Sequence, residues 1–167
     1  MRLFVALVPP PAVVDALPPA SSGLRAMRAD QVHLTLAFLG EVPAADLLLM
    51  GLDAVTGLAA PELRLAGSGS FGSAVWLGVR GDLAALRRLA RTTQGIVRDS
   101  GVELDRRPWH PHLTIGRGGV PAAFEAYEGP TARWEEVRLV RSHLGGRGAR
   151  HETLGAWTLL PQERLPG

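Results

Sequence analysis

Two short stretches of this chain repeat one device. Gln31-Val32-His33-Leu34-Thr35-Leu36-Ala37-Phe38-Leu39 and Pro111-His112-Leu113-Thr114-Ile115-Gly116-Arg117 each set a histidine and a threonine two residues apart in an apolar run. Alternate side chains of an extended strand share a face. His33 and Thr35 therefore point one way, and Leu34, Leu36 and Phe38 the other. His112 and Thr114 likewise oppose Leu113 and Ile115. One such pair is ordinarily just a half-exposed strand, since threonine favours strands anyway. Two copies in one phase are a far tighter constraint: the chain has to offer two strands of the same polarity to one shared face.

The segments around them repeat as well. Residues 2–8 read as an apolar strand ended by Pro9-Pro10-Pro11, with a short helix over 11–17 and a Ser-Ser-Gly loop before the first His-x-Thr strand at 31–39. A helix follows from Pro43 to about Leu58, with proline early, where a helix tolerates it. Residues 62–66 and 74–79 read as strands, with Gly67-Ser68-Gly69-Ser70-Phe71-Gly72 as the turn between them. Asp82 offers an N-cap to a helix over 83–99, where Leu83, Leu86, Leu89, Ala90 and Val97 make a stripe. The second His-x-Thr strand runs over 112–117, and strands at 134–144 and 151–160 complete the chain. Strand, helix, His33 and strand, helix, His112 form a pseudo-repeat in element order. It predicts two lobes, each bringing a His-x-Thr strand, in its own sheet, to a common cleft.

At 167 residues the chain fits one domain, expected to span 1–167. No apolar run approaches the roughly 20 residues that cross a bilayer, and the N-terminal apolar run is too short for a signal sequence. The absence of cysteine removes disulfides and thiolate metal sites and fits a reducing, cytoplasmic setting. All 18 basic residues are arginine, and the formal charge is only +2. With almost nothing titrating between histidine and arginine, the isoelectric point near 10.3 overstates the basicity. It is no argument for nucleic-acid binding.

Two histidines facing one cleft suit concerted acid–base chemistry, because imidazole titrates near neutrality and one ring can be protonated while the other is not. Such a pair can deprotonate a nucleophile on one side of a phosphorus and protonate the leaving oxygen opposite. The threonine hydroxyls can donate to non-bridging oxygens, and Arg117 can add a charge-assisted bond. Strict alternation puts Arg117 on the Leu113 face, so reaching the cleft requires a strand end or bulge, for which Gly116 is the candidate.

With their flanks, His33-Leu34-Thr35-Leu36 and His112-Leu113-Thr114-Ile115 resemble the paired motifs of the 2H phosphoesterase superfamily. The flanks are Arg2-Leu3-Phe4-Val5-Ala6-Leu7, Phe38-Leu39-Gly40, Arg107-Pro108-Trp109 and Pro111, with Ser142, Gly148 and Trp157 near the end. Within it, the chain is similar to the RNA 2′,3′-cyclic phosphodiesterases, also called 2′-5′ RNA ligases. One departure is His151, at a position where the family commonly carries tyrosine. The resemblance implies an α+β fold, with two pseudo-symmetric lobes of antiparallel sheet and outer helices around a central groove. It implies metal-independent hydrolysis of a terminal 2′,3′-cyclic phosphate to a 2′-phosphate, on RNA ends or nucleotides; the chain is expected to need no cofactor and to act as a monomer. It makes His33 and His112 the acid–base pair, Thr35, Thr114 and Arg117 the phosphate holders. On this reading His112 activates water and His33 protonates the departing 3′ oxygen. Rival readings are a 2H enzyme for 2′-5′ linked or small cyclic nucleotides, and an idle module that binds RNA ends.

Other features carry less. His110 and His112 lack a third ligand at suitable spacing for zinc, so His110 is expected at the groove edge or surface. His143 and His151 are expected to be structural or exposed. The Gly67–Gly72 stretch lacks the lysine and following helix of a phosphate-binding loop. Trp76, Trp134 and Trp157 are expected in the core, and Trp109 at the groove as a possible base contact.

Overall fold

The alternation of Arg2-Leu3-Phe4-Val5-Ala6-Leu7-Val8 makes an interior strand of a sheet: in β1 (Arg2–Val8), Leu3, Val5 and Leu7 are wholly buried. A computed structural model of the chain describes residues 1–145 and 148–161. After β1 come α1 (Pro11–Asp15), β2 (Leu24–Ala26), β3 (Leu34–Glu41), α2 (Asp46–Leu52), β4 (Glu62–Phe71) and β5 (Ala74–Gly81). The long α3 (Leu83–Asp99), β6 (His112–Gly118), β7 (Ala132–Arg133), β8 (Glu136–His143) and β9 (Arg150–Thr158) follow.

The strands run β7-β4-β5-β6-β3-β1-β8-β9, with β2 added to the edge of β6. Every pairing between these strands is antiparallel. One half, β3-β1-β8-β9, comes from the two ends of the chain, and the other, β7-β4-β5-β6, from its middle. Among the described residues a single bridge, Leu34 opposite Leu113, joins β3 to β6. The two expected sheets are therefore one continuous sheet, divided where β3 and β6 part on leaving that bridge. The short β2, directly after the Ser21-Ser22-Gly23 loop, fills the wedge beside β6 that β3 vacates.

Helices cover one face only. The Asp82 carboxylate caps α3 by accepting from the Ala85 amide at 3.1 Å, and the stripe Leu86, Leu89, Ala90, Thr93 and Val97 is buried against the back of the sheet. The Gln94 side chain donates to the Leu36 carbonyl across that contact. Leu34, Leu36 and Leu113 are fully buried there. The front face carries His33, Thr35, His112 and Thr114.

Three local expectations need correcting. β4 continues through Gly67–Phe71, and only Gly72-Ser73 forms the turn; the glycine-rich run is strand because it pairs with 74–77 of β5. His33 stands just before β3, after a 3-10 turn at Ala29–Gln31. Phe38 does not share the face of Leu34 and Leu36, because β3 carries a bulge. Thr35 pairs with Ala6 but Ala37 with Val5, leaving Leu36 as the extra residue. Beyond it the parity inverts, so Phe38 lies opposite Phe4 on the front and is half exposed.

Candidate active site

Each histidine is pinned by its own chain. The His33 Nδ1 donates to the Gln31 carbonyl at 2.7 Å, and the His112 Nδ1 donates to the His110 carbonyl at 2.7 Å. A carbonyl only accepts, so Nδ1 carries the proton in both neutral rings and Nε2 is left for the groove. Both rings thus present the nitrogen that can take or give a proton. In the register of the Leu34–Leu113 bridge, His33 and Thr114 flank it on one side, Thr35 and His112 on the other. The His112 charge is close enough to lower the proton affinity of His33.

The threonines face the same space. Among the described residues neither Thr35 nor Thr114 has a side-chain hydrogen bond, so both hydroxyls are available. Arg117 joins them through a second bulge. Thr114 pairs with Trp76, but Gly116 pairs with Val75 and Arg117 with Ala74, so Ile115 is the extra residue. Trp76 and Ala74 share a face of β5, hence Thr114 and Arg117 share a face of β6. Gly116 is obligatory for a further reason: a Cβ there would sit 2.4 Å from the Arg25 carbonyl of β2. The Arg117 guanidinium donates to the Ser73 hydroxyl at 3.0 Å and, among the described residues, has no carboxylate partner. The five residues expected to act together lie on one face.

Their surroundings were only partly foreseen. The His33 ring stacks on Phe4 with centroids 4.5 Å apart, and His151 packs edge-on against both, 5.6 Å from His33 and 5.2 Å from Phe4. His151 is therefore a third histidine of the groove rather than a peripheral residue. Burial in this box lowers the His33 pKa to about 4, against the carbonyl bond from Gln31 that raises it and the nearby His151 and His112 charges that lower it. Burial also lowers His151, with Asp30 pulling the other way. Nothing in the alternation of β1 marks Phe4, because both faces of that strand are apolar. His151 is hidden by a register shift in β9, which pairs it with Ser142.

On the other half, Trp76 is not in the core. It lies half-buried on the front among Phe71, His110 and His112, with centroids 5.3 to 6.0 Å away. It rests on Gly69, where a Cβ would come within 2.4 Å of its ring. Phe71 is 53% exposed beside it, and His110 is at the groove edge, as expected. Trp134 and Trp157 are buried, as expected. Trp109 packs against the core, and its indole N–H donates to the Thr35 carbonyl at 3.0 Å. It ties the approach to β6 onto β3, a different task from the base contact considered for it. His143 pairs with Glu152. Among the described residues no three histidine or carboxylate side chains converge to hold a metal ion.

A sheet that brings two histidine–threonine pairs to one groove is the architecture of the two-histidine phosphoesterases. The family model described as the 2′-5′ RNA ligase superfamily matches residues 8–146, and the chain belongs to that family. It is 34% identical over 152 residues to an RNA 2′,3′-cyclic phosphodiesterase of Geobacillus stearothermophilus, covering 78% of this chain and 46% of that protein. The chain thus spans about half the length of that relative. It is 34% identical to the RNA 2′,3′-cyclic phosphodiesterase of Escherichia coli K12, over 81% of this chain and 80% of that one. The structure of E. coli LigT complexed with 3′-AMP superposes with a TM-score of 0.75 at 30% identity, over 95% of this chain and 97% of that one. No helix among the described residues is long and apolar enough to cross a membrane.

Proposed function

We propose that this chain hydrolyses the terminal 2′,3′-cyclic phosphate of RNA ends or nucleotides to a 2′-phosphate, without a metal ion. The observation that carries this reading is the pair of Nε2 atoms offered to one groove, each fixed by an Nδ1 bond to the carbonyl two residues earlier. The relatives' names supply the substrate class. In the reaction, one ring takes a proton from water as its oxygen bonds phosphorus. The other gives a proton to the 3′ oxygen as the P–O3′ bond breaks, leaving a 3′ hydroxyl and a 2′-phosphate. Thr35, Thr114 and Arg117 hold the non-bridging oxygens as charge builds on them.

The box around His33 favours a polarity opposite to the one drawn from sequence. A ring kept neutral down to about pH 4 is ready to accept from water, and the proton the reaction needs then falls to His112. We take the protein to work as one bilobal, monomeric domain in the cytoplasm, in keeping with its lack of cysteine. Incubation with an RNA ending in 2′,3′-cyclic phosphate, with EDTA present, tests the reading. A 2′-phosphate end is expected; a 3′-phosphate product, or loss of turnover in chelator, overturns it. RNA binding with no turnover would instead identify an idle end-binding module.

A further inference from the structure

We infer that Arg25, together with Arg117, forms a second phosphate subsite, which takes the phosphate on the 5′ side of the terminal ribose. The inference rests on the functional reading above and deepens it.

The register places the two arginines side by side. β2 pairs with β6 so that Arg25 lies directly opposite Arg117, with Leu24 opposite Gly118 and Ala26 opposite Gly116. Directly opposed residues of an antiparallel pair share a face, about 4.5–5.5 Å apart at Cα. Leu24 and Ala26 both line the apolar cavity behind the sheet with Val32 and Ile115. Arg25, between them, therefore emerges on the front with Arg117 and Thr114. Like charges so opposed destabilise a sheet, and among the described residues no carboxylate is bonded to either guanidinium. By contrast Arg28, close by, is neutralised by Asp30 at 2.9 Å. Two uncompensated guanidiniums on one face match a phosphate, which each can engage through two N–H groups.

The place is specific. β2 occupies the wedge that opens where β3 leaves β6, so Arg25 stands toward the mid-groove side of β6. Arg117 is three residues beyond Thr114, roughly 10 Å along a strand. A phosphate held at Thr114 leaves Arg117 between two anions and Arg25 facing only the outer one. The outer anion is the phosphate that links the terminal nucleotide to the rest of an RNA, or the 5′-phosphate of a single nucleotide. Arg25 would then let the protein favour chain ends over free nucleosides.

The experiment compares adenosine 2′,3′-cyclic phosphate, its 5′-phosphorylated form, and a dinucleotide ending in the cyclic phosphate. Wild-type kcat/KM is expected to be higher for the second and third than for the first. Arg25→Gln should lower kcat/KM about tenfold on those two and leave the first unchanged, which also shows that the variant is folded. On the dinucleotide, the slope of log kcat/KM against log salt should shrink by about 0.7, the value for one single-strand phosphate contact. A gain with the dinucleotide alone, or a Gln variant equally impaired on all three, overturns the subsite while leaving the hydrolase reading intact. A wild-type protein inert on all three overturns the hydrolase reading and the subsite together.

Discussion

His33 and His112 hold the same bond in different surroundings. Each Nδ1 reaches the carbonyl two residues back at 2.7 Å, and each is followed by a threonine and then a bulge. Beyond that, the halves diverge. The His33 ring is half-buried against Phe4 and His151, whereas His112 borders Phe71 and Trp76, with Phe71 open to solvent. Three residues past each threonine, the first half carries Phe38 and the second Arg117, both on the front face. The repeated backbone decides which nitrogen faces the groove. The unrepeated neighbours lower the proton affinity of His33 and set an arginine on the second half where the first has a phenylalanine.

The largest effects should come from the rings themselves. His33→Ala and His112→Ala are each expected to cost about 10²–10⁴ in turnover, with the double variant far less impaired than the product of the two. Replacing the 3′ leaving group by an activated aryl oxide breaks the tie between them. A good leaving group needs no acid, so it should rescue His112→Ala and not His33→Ala; the reverse would restore the polarity first read from sequence.

Smaller effects should follow at the paired positions after the bulges. Arg117→Ala is expected to lower kcat/KM about 10- to 10²-fold, since one transition-state donor is worth up to about 10²–10³. Phe38→Ala should cost less than about tenfold and act on KM, because Phe38 offers a half-exposed ring with the Arg2 guanidinium 5.1 Å from its centre. Equal losses in kcat from the two substitutions would show the halves to be more alike than their side chains suggest.

A separate effect is on stability and appears only at low pH. The folded protein resists protonating His33, whose pKa falls from 6.5 to about 4, whereas the unfolded chain does not. The unfolded state therefore binds more protons as pH falls, and His33 withdraws stability between about pH 6.5 and 4 and has no effect above. In urea titrations, the stability difference between wild type and His33→Asn should stay level from pH 8 to 7 and move against the wild type below 6.5. A difference that stays flat to pH 4.5 would mean that the box around His33 is open to water.

Much of this was legible in the chain because strand parity is a strong rule. The two His-x-Thr pairs, the capped α3 and the need for a bulge near Gly116 follow from residue type and spacing. What parity could not show are the places where it breaks. The bulge after Thr35 lies in an apolar run with no glycine until Gly40, so alternation alone puts Phe38 on the wrong face. Trp76 looked like a core residue because strand 74–79 is apolar on both sides. Its place depends on Gly69 of the neighbouring strand. His151 enters the site through a register shift, and register depends on partners that a single strand does not name.

The bond from each Nδ1 to a carbonyl two residues earlier has a consequence for ancestry. Neither ring borrows its tautomer from the opposite half, so each half-site arrives chemically finished from about five consecutive residues. A doubled ancestral segment would yield two matched rings at once, with no intermediate in which one copy lacked its bond. Divergence could then work on the neighbours alone: a phenylalanine here, an arginine there, a late histidine folded over one ring. The two halves would then share one backbone device and differ in the company it keeps.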